Sequence, residues 1–380
     1  MMYARWTRIT ATTALAALAL TGCGGSEEAI GDPDAPKGSL AAVCPATVVI
    51  QTDWYATPER SPAYNLIGPD GEIDVDKGAY VGEIGDTGVT AEIRLGGPFI
   101  GGQPVTAQMY TDDTIDLGVV ATDIAIRDYE KFPTRGVFTM MQKSPFMVMF
   151  DPAKFPEVKT WDDVKATGAP VLHAQGVSWV DYLVHEGLVD TQQLDGSFDG
   201  SPSRFVADDG ALFQQGYVSN EPYRWEHDVA EWAKPTAHLM LDDAGYQVYQ
   251  QAYAVRTDDE EALSPCLEEL VPLLQQSEID YLKDPKPVND TLIEIADAIK
   301  DGPPITPGGN ANSVKVQVEE GLVANGPDGA YGAYGSFDVA RVDGVIETMT
   351  AVLKDGGKDV PEITGDELVT NDYIDPEIKR

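Results

Sequence analysis

Three short apolar runs, each followed by polar residues or glycines, place the strongest constraint on what this chain can fold into. They are residues 46–51, 89–95 and 115–120, and the first is almost continuously β-branched. Such a run is typical of a strand buried on both faces of a parallel sheet, because a strand with one wet face alternates apolar and polar residues. The pattern therefore predicts an α/β protein.

The residues that follow these three runs are candidate ligand-binding groups. The first run leads to Asp53 and Trp54, the second to Gly97 and Phe99, and the third to Asp123. In open α/β sheets, ligands bind beyond the carboxyl ends of the strands. Two alternatives stay open, since an indole ring here can belong to the core and an aspartate here can cap the next helix.

A further candidate wall lies in residues 217–225, which read Tyr-Val-Ser-Asn-Glu-Pro-Tyr-Arg-Trp. Aromatic rings such as Tyr223 offer flat faces for stacking, and the Asn220 and Glu221 side chains can hold a polar edge by hydrogen bonds. Ordinary packing at the end of a strand explains the same residues equally well. The segment therefore supports a small-molecule pocket without requiring one.

Three more side chains complete the predicted ligand set. Tyr64 lies in a predicted helix at residues 62–67, Gln175 ends a predicted strand at residues 170–175, and Ser178 precedes a predicted helix at residues 180–188. A helix N-terminus favours polar and negatively charged ligand groups. We therefore place Tyr64, Gln175 and Ser178 beside the strand-end residues.

The beginning of the chain resembles a bacterial lipoprotein signal. Arg5 and Arg8 precede the small apolar residues 11–20, and Leu-Thr-Gly-Cys ends at Cys23. The apolar stretch is shorter than the roughly 20 residues of a spanning helix. We predict a signal peptide at residues 1–22, lipidation at Cys23 and a flexible tether up to residue 44; an unlipidated export signal is the alternative.

Charge and cysteine content narrow the choice of partners. With 26 basic and 63 acidic residues, the formal net charge is −37. The negative field around the protein repels nucleic acid and favours neutral or cationic ligands.

Besides Cys23, the chain contains Cys44 and Cys266. Outside the cytoplasm these two form either a disulfide or two buried thiols.

No pattern in the sequence indicates catalysis, a metal or a cofactor. His185-Glu186 and His227-Asp228 are the best candidates for an exported hydrolase or synthase, but neither has the spacing of a zinc site or a nucleophile elbow. A glycine-rich nucleotide fingerprint is missing too. We therefore predict a binding protein with no catalytic residue, metal or cofactor.

Several ordered motifs together resemble the substrate-binding proteins of ABC importers. They are the lipobox, Asp53-Trp54, the Gly-Gly-Pro after the second strand, the Gly-Tyr-Val-Ser-Asn-Glu-Pro-Tyr segment, Phe337-Asp338-Val339, and the Thr-Asn-Asp-Tyr-Ile-Asp near the end. The resemblance covers residues 45–380. It points to the branch that includes thiamine-pyrimidine-precursor synthases and nitrate, sulfonate and taurine binders. The synthases' cysteine-rich motif is missing, which disfavours that enzyme activity.

The resemblance implies a two-lobed periplasmic-binding-protein fold, type II-like, with a ligand cleft between the lobes and a hinge that the chain crosses twice. Lobe 1 would comprise residues 45–145 and 254–380, and lobe 2 residues 146–253. Two departures from the family pattern are Thr-Pro-Glu-Arg at residues 57–60, where Asn-His is usual, and the acidic insertion at residues 68–88, which we interpret as a surface hairpin.

The implied function is that of an extracytoplasmic, membrane-anchored lipoprotein that delivers a small aromatic or nitrogen-containing nutrient to an ABC permease. In this family Asp53 and Trp54 would hold a heterocycle, with Glu221 on its polar edge. Alternatives are a binder of sulfonate- or nitrate-type anions, an exported enzyme, and a ligand sensor. We expect a monomer that binds no nucleic acid.

Overall fold

The computed structural model describes residues 30–300, 302, 304–327, 332–358, 360 and 362–380. The predicted signal peptide and Cys23 lie outside these residues. Over the described residues the strands are β1 (Thr47–Gln51), β2 (Glu72–Asp74), β3 (Ala79–Glu83), β4 (Thr90–Arg94), β5 (Leu117–Val120), β6 (Thr134–Thr139), β7 (Phe146–Phe150), β8 (Val171–Leu172), β9 (Leu194–Asp195), β10 (Phe213–Tyr217), β11 (Ala237–Met240) and β12 (Ala252–Arg256).

The helices of the same residues are α1 (Leu40–Val43), α2 (Ser61–Ile67), α3 (Val105–Thr111), α4 (Thr122–Asp128), α5 (Trp161–Thr167), α6 (Trp179–His185), α7 (Ser203–Ala207), α8 (Glu221–His227), α9 (Glu260–Lys283), α10 (Lys286–Ile299), α11 (Pro307–Glu319), α12 (Val339–Asp355) and α13 (Gly365–Leu368). None of the helices in this part of the chain combines the length and apolar character needed to cross a membrane.

The first lobe is built on a seven-stranded sheet of the described residues, in the order β2-β3-β4-β1-β5-β12-β6. Its centre is parallel, since β1 pairs with β4 on one side and β5 on the other. These three strands are the predicted apolar runs, and their carboxyl ends lie at one edge because they run in the same direction. Val48 and Ile50 of β1 are fully buried, which explains the unbroken apolar pattern.

The second lobe is built on a five-stranded sheet of the described residues, in the order β11-β7-β10-β8-β9. Here β10 pairs antiparallel with β7 and parallel with β8. The parallel pair again puts two strand ends together, those that lead to α6 and α8. The two lobes therefore present strand-to-helix junctions to one another.

The chain passes from the first sheet to the second between β6 and β7, and returns between β11 and β12. On its return β12 pairs with β5 and β6. The predicted α/β class, two-lobed architecture and double crossing of the hinge are confirmed.

The acidic insertion at residues 68–88 forms the predicted hairpin. β2 and β3 pair antiparallel, and β3 continues the first sheet by pairing with β4. The Tyr80 side chain, however, points inwards and is 2% exposed. The insertion thus forms an edge of the sheet and also contributes a side chain to the hydrophobic core.

Cys44 and Cys266 form a disulfide that ties the segment after α1 to α9. Leu40 is 5% exposed and belongs to the same core as Cys266. The predicted tether up to residue 44 is therefore wrong for its last residues, because packing and the disulfide hold them on the first lobe.

Candidate ligand-binding site

A cavity of about 210 Å³ lies between the two lobes. The first lobe contributes Asp53, which follows β1, and Gln103, which precedes α3; the second lobe contributes Gln175 and Gly176, between β8 and α6. Gln250 lines the cavity from the segment that returns to the first lobe. The cavity thus lies where the strand ends of both sheets meet.

Larger openings occur elsewhere in the described residues. One of about 390 Å³ lies between α6, the segment at residues 245–248 and α12, and one of about 460 Å³ lies on the surface beside the start of α9. Neither lies at the strand ends of both lobes. We select the interlobe cavity because its position, rather than its size, matches the general location of ligands in open α/β sheets.

Asp53 is held by a buried arginine. Arg60 Nε and Nη2 donate to the two Asp53 carboxylate oxygens over 2.7 and 2.9 Å, and Gln251 Nε2 donates to the same carboxylate over 3.2 Å. Burial disfavours the charged guanidinium, but Asp53, Tyr217 and Glu59 together outweigh it, and the pKa of Arg60 is raised. Asp53 is therefore an oriented, charge-compensated hydrogen-bond acceptor.

Glu59 joins three segments at the other side of the cleft. Its Oε1 accepts hydrogen bonds from the Ser219 hydroxyl of the second lobe, over 2.6 Å, and from the Ser313 hydroxyl of α11, over 2.8 Å. Glu59 is 1% exposed. The lobes therefore touch directly, and a buried carboxylate forms part of the contact.

Trp54 occupies the gap between glycines of the two lobes. A Cβ on Gly97 would lie 2.7 Å from the indole ring, and one on Gly200 would lie 3.9 Å from it. Gly97 also has a positive φ of 59°, a conformation that glycine adopts without strain. Because Gly97 has no side chain, the Trp54 ring packs closely against its backbone in this structure.

Asp123 and Ser178 meet beside the cavity from opposite lobes. The Tyr246 hydroxyl donates to Asp123 Oδ2 over 2.7 Å, and the Ser178 hydroxyl faces the same carboxylate. Burial raises the pKa of Asp123 against the opposing effects of Tyr246, Ser178 and Arg127. The alternative role as helix cap is wrong, because Ala121 is the N-cap of α4 and Asp123 lies in its first turn.

Arg127 connects the lobes on the same side. Its Nη1 donates to the Gly176 carbonyl over 2.8 Å, and its Nε and Nη2 donate to the Asp128 carboxylate over 2.8 and 3.1 Å. The side chain lines the cavity. The positive charge of Arg127 near the cavity is thus already compensated by the Asp128 carboxylate.

Tyr64 cannot stack on a ligand in this structure. Its ring is fully buried in the first lobe, 6.2 Å from the ring of Tyr80, and its hydroxyl has no partner among the described residues. The prediction is wrong because the hairpin at residues 68–88 covers α2 on the side where Tyr64 points.

The residues predicted from the 217–225 segment lie beyond the cavity. Glu221 Oε2 accepts a hydrogen bond from the Tyr217 amide over 2.6 Å, which turns the carboxylate back onto the end of β10. Burial raises the pKa of Glu221 to about 7, although that amide opposes the shift. Asn220 lines a narrow crevice against α11, and Tyr223 packs against His227 and Gly308. The structure therefore does not support ligand contacts by Glu221, Asn220 and Tyr223.

Phe99 does not line the cavity. Its ring makes an edge contact with Tyr55, with centroids 5.9 Å apart, and packs over Gly78. The segment Gly97–Ile100 is a single 3-10 turn, so it presents no long helix N-terminus to a ligand. The glycine-rich junction provides close packing instead.

Five residues around the cavity escaped the sequence-based prediction. Gln103, Arg127 and Gln250 line it directly, whereas Arg60 and Gln251 orient Asp53. The sequence could have indicated Gln250 and Gln251, because both immediately precede a strand that returns to the first lobe. Arg60 was visible only as a departure from the family pattern.

No group of three or more histidine, cysteine or acidic side chains could hold a metal ion within the part of the chain that the structure describes. The carboxylates near the cleft are instead engaged with arginine, tyrosine or serine. The site is equipped for hydrogen bonding.

The sequence matches no protein-family model and no curated protein sequence at a significant level. Solved structures are similar at low identity. The alkanesulfonate-binding protein SsuA of Xanthomonas axonopodis pv. citri, bound to MOPS, is 13% identical with a TM-score of 0.52, covering 86% of this chain and 98% of that one. A protein of Bordetella bronchiseptica RB50 is 13% identical with a TM-score of 0.53, covering 86% and 95%.

A third similar structure is the ligand-binding component of an ABC-type import system of Staphylococcus aureus, with zinc bound. It is 12% identical with a TM-score of 0.50, covering 87% of this chain and 99% of that chain. At these identities the similarity shows the fold: the chain has the two-lobed, type II-like periplasmic-binding-protein fold. The resemblance noted in the sequence is confirmed at that level.

Proposed function

We propose that this protein is an extracytoplasmic lipoprotein that binds a small nitrogen-containing solute between its lobes and delivers it to the permease of an ABC importer. The interlobe cavity carries the proposal, because Asp53 and Gln175 approach it from different lobes. Contacts to both lobes exist only in the closed form, so a ligand that makes them selects closure. The shared fold with import binding proteins supports this function.

In the proposed organisation, lobe 1 comprises residues 45–145 and 254–380, and lobe 2 comprises residues 146–253. A signal peptide at residues 1–22 directs export, and acyl chains on Cys23 anchor the protein. The Cys44–Cys266 disulfide is compatible with an oxidising compartment outside the cytoplasm. The short tether ends where α1 packs on the first lobe.

Binding without turnover fits the site better than catalysis. The Asp53 carboxylate is paired with Arg60, and the Glu59 carboxylate accepts hydrogen bonds from two serines. Both carboxylates are therefore engaged in structural hydrogen bonds. The histidine pairs at residues 185–186 and 227–228 lie outside the cavity lining. A hydrolase needs a nucleophile and base within hydrogen-bond reach of each other and of the substrate.

The nitrogen-containing character of the ligand rests on Asp53. A carboxylate held by Arg60 and Gln251 keeps acceptor capacity for an N–H group of a ligand. Of the rings predicted to stack, Trp54 is the one next to Asp53, and it lies between Gly97 of the first lobe and Gly200 of the second.

The test is a thermal-shift screen of the purified protein against pyrimidines, flavins, nucleobases, amino acids and sulfonates. A ligand at about 100 times its Kd stabilises the folded state by about 2.7 kcal/mol. Gln175→Trp puts a large ring at the cavity wall and should abolish the shift. Gln192→Trp, at an exposed position of the same lobe, is the matched control.

The proposal fails if every ligand class leaves the unfolding temperature of the folded protein unchanged. It also fails if a stabilising ligand acts equally on the wild type and Gln175→Trp, since binding would then take place outside the interlobe cavity. Conversion of a bound compound by pure protein would replace binding with enzyme activity.

A further inference from the structure

Three glutamine side chains line the interlobe cavity without a hydrogen-bond partner among the described residues: Gln103, Gln175 and Gln250. Gln250 is 9% exposed, whereas Gln103 and Gln175 are exposed residues of the cavity lining. An amide that lines a cavity and bonds no protein group keeps its donor and its acceptor available for a ligand or water. The three amides therefore mark hydrogen-bonding positions for a bound molecule.

The charged side chains that line the cavity are already neutralised. Asp53 receives two hydrogen bonds from Arg60, and Arg127 donates two to Asp128 and a third to the Gly176 carbonyl. An anionic ligand would have to compete with Asp128 for Arg127, and a cationic ligand would have to compete with Arg60 for Asp53. Because an uncompensated charge is costly to enclose, the cavity favours a neutral molecule.

The size of the cavity and the chemistry of its lining narrow the class of ligand further. The volume of about 210 Å³ is below the roughly 300 Å³ at which drug-sized pockets begin. A carboxamide presents a donor and an acceptor side by side, and it forms paired hydrogen bonds with any group that offers the same two functions. Ligand groups with that edge are amides, ureas and lactams.

We propose that the cavity selects a small neutral cyclic amide, such as a pyrimidinone, against anions and cations of similar size. Gln250 is the specificity-determining residue because it is the least exposed of the three, and Gln103 and Gln175 complete the edge recognition from the two lobes. This inference rests on the proposed function and specifies the ligand class of the same site.

The experiment is isothermal titration calorimetry of the purified protein with uracil, its 6-carboxylate, a primary aminomethylpyrimidine and a short alkanesulfonate. The expected result is that uracil binds and the three charged compounds bind at least about tenfold more weakly. Gln250→Met keeps the side-chain length but removes the amide, and should weaken uracil binding by about tenfold because ligand groups lose their partners.

Gln247→Met is the matched control, since this exposed residue lies three positions earlier and does not line the cavity. Urea unfolding of both variants verifies that they are folded. An unaltered uracil affinity in folded Gln250→Met overturns the assignment of that residue. Tighter binding of a charged compound, lost in Gln175→Trp, overturns the neutral class but keeps the proposed function. Absence of binding by all four compounds overturns the cyclic-amide class, whereas the proposed function is overturned only by failure of the wider thermal-shift screen.

Discussion

Arg60 and Asp53 form a two-point ion pair at the interlobe cavity, with donor–acceptor distances of 2.7 and 2.9 Å. Arg60 is 2% exposed, whereas the Asp53 side chain retains 24% exposure. The pair therefore couples the interior of the first lobe to the ligand space. The guanidinium also bonds the Thr57 hydroxyl, which fixes its plane.

Arg60→Met is expected to reduce the free energy of unfolding by about 3 kcal/mol, because it leaves the Asp53 carboxylate partly buried without its cation. Urea unfolding followed by tryptophan fluorescence measures the change. The double variant Asp53→Asn/Arg60→Met should recover part of the loss, since no uncompensated charge remains. A single variant as stable as the wild type would contradict a structural role for the pair.

Ser219→Ala is expected to shift the lobes towards an open arrangement. The substitution removes the hydrogen bond from the second lobe to Glu59, and a bond to a carboxylate contributes about 1.5 kcal/mol, or roughly tenfold in the equilibrium. Small-angle X-ray scattering of the unliganded protein should show a larger radius of gyration. Ser313→Ala is the control, because it removes the bond from α11 and leaves the one between the lobes. Identical scattering from both variants and the wild type would argue against this contact as a determinant of closure.

Removal of the disulfide is expected to destabilise the protein substantially. The bond joins residues that are 222 positions apart, and the chain-entropy model for a loop of this length gives about 5 kcal/mol. Cys44→Ser/Cys266→Ser should therefore unfold at lower urea than the oxidised wild type. Reductant should lower the midpoint of the wild type and leave that of the variant unchanged. Equal midpoints in all four samples would show that the crosslink does not restrict the unfolded chain.

The raised pKa of the buried Glu278 carboxyl predicts how the free energy of unfolding depends on pH. Its Oε2 accepts a hydrogen bond from the Ser61 hydroxyl over 2.5 Å, and burial raises its pKa from 4.5 to about 8. Between these values the folded protein keeps the proton that the unfolded chain releases. The stabilising contribution is therefore complete below pH 4.5 and is lost as the pH rises through about 8.

Glu278→Gln should show a smaller fall in unfolding free energy over this pH range than the wild type. Glu269→Gln, an exposed position on the same helix, should keep the wild-type slope. Part of the slope persists in Glu278→Gln, because burial also raises the pKa of Glu221 to about 7. Parallel profiles for Glu278→Gln and the wild type would mean that Glu278 does not retain its proton in the folded state. Urea unfolding at several pH values provides the measurement.

Local residue patterns predicted the sheet and the position of part of the site. The unbroken apolar runs indicated β1, β4 and β5, because a strand covered on both faces has no polar alternation. The carboxyl ends of parallel strands lie at one edge of a sheet, which is why the residue pattern alone was enough to assign Asp53 and Gln175 to a cleft.

Contacts between distant segments decided the rest. Tyr64 is removed from the ligand space by Tyr80 of the hairpin, and Glu221 is turned away by the Tyr217 amide. Arg60 became part of the site because α2 begins where its side chain reaches Asp53. The sequence thus determined which segments are strands and where each ends, since these depend on neighbouring residues. The orientation of each polar side chain depended on burial and on partners far along the chain, which only the tertiary structure brings together.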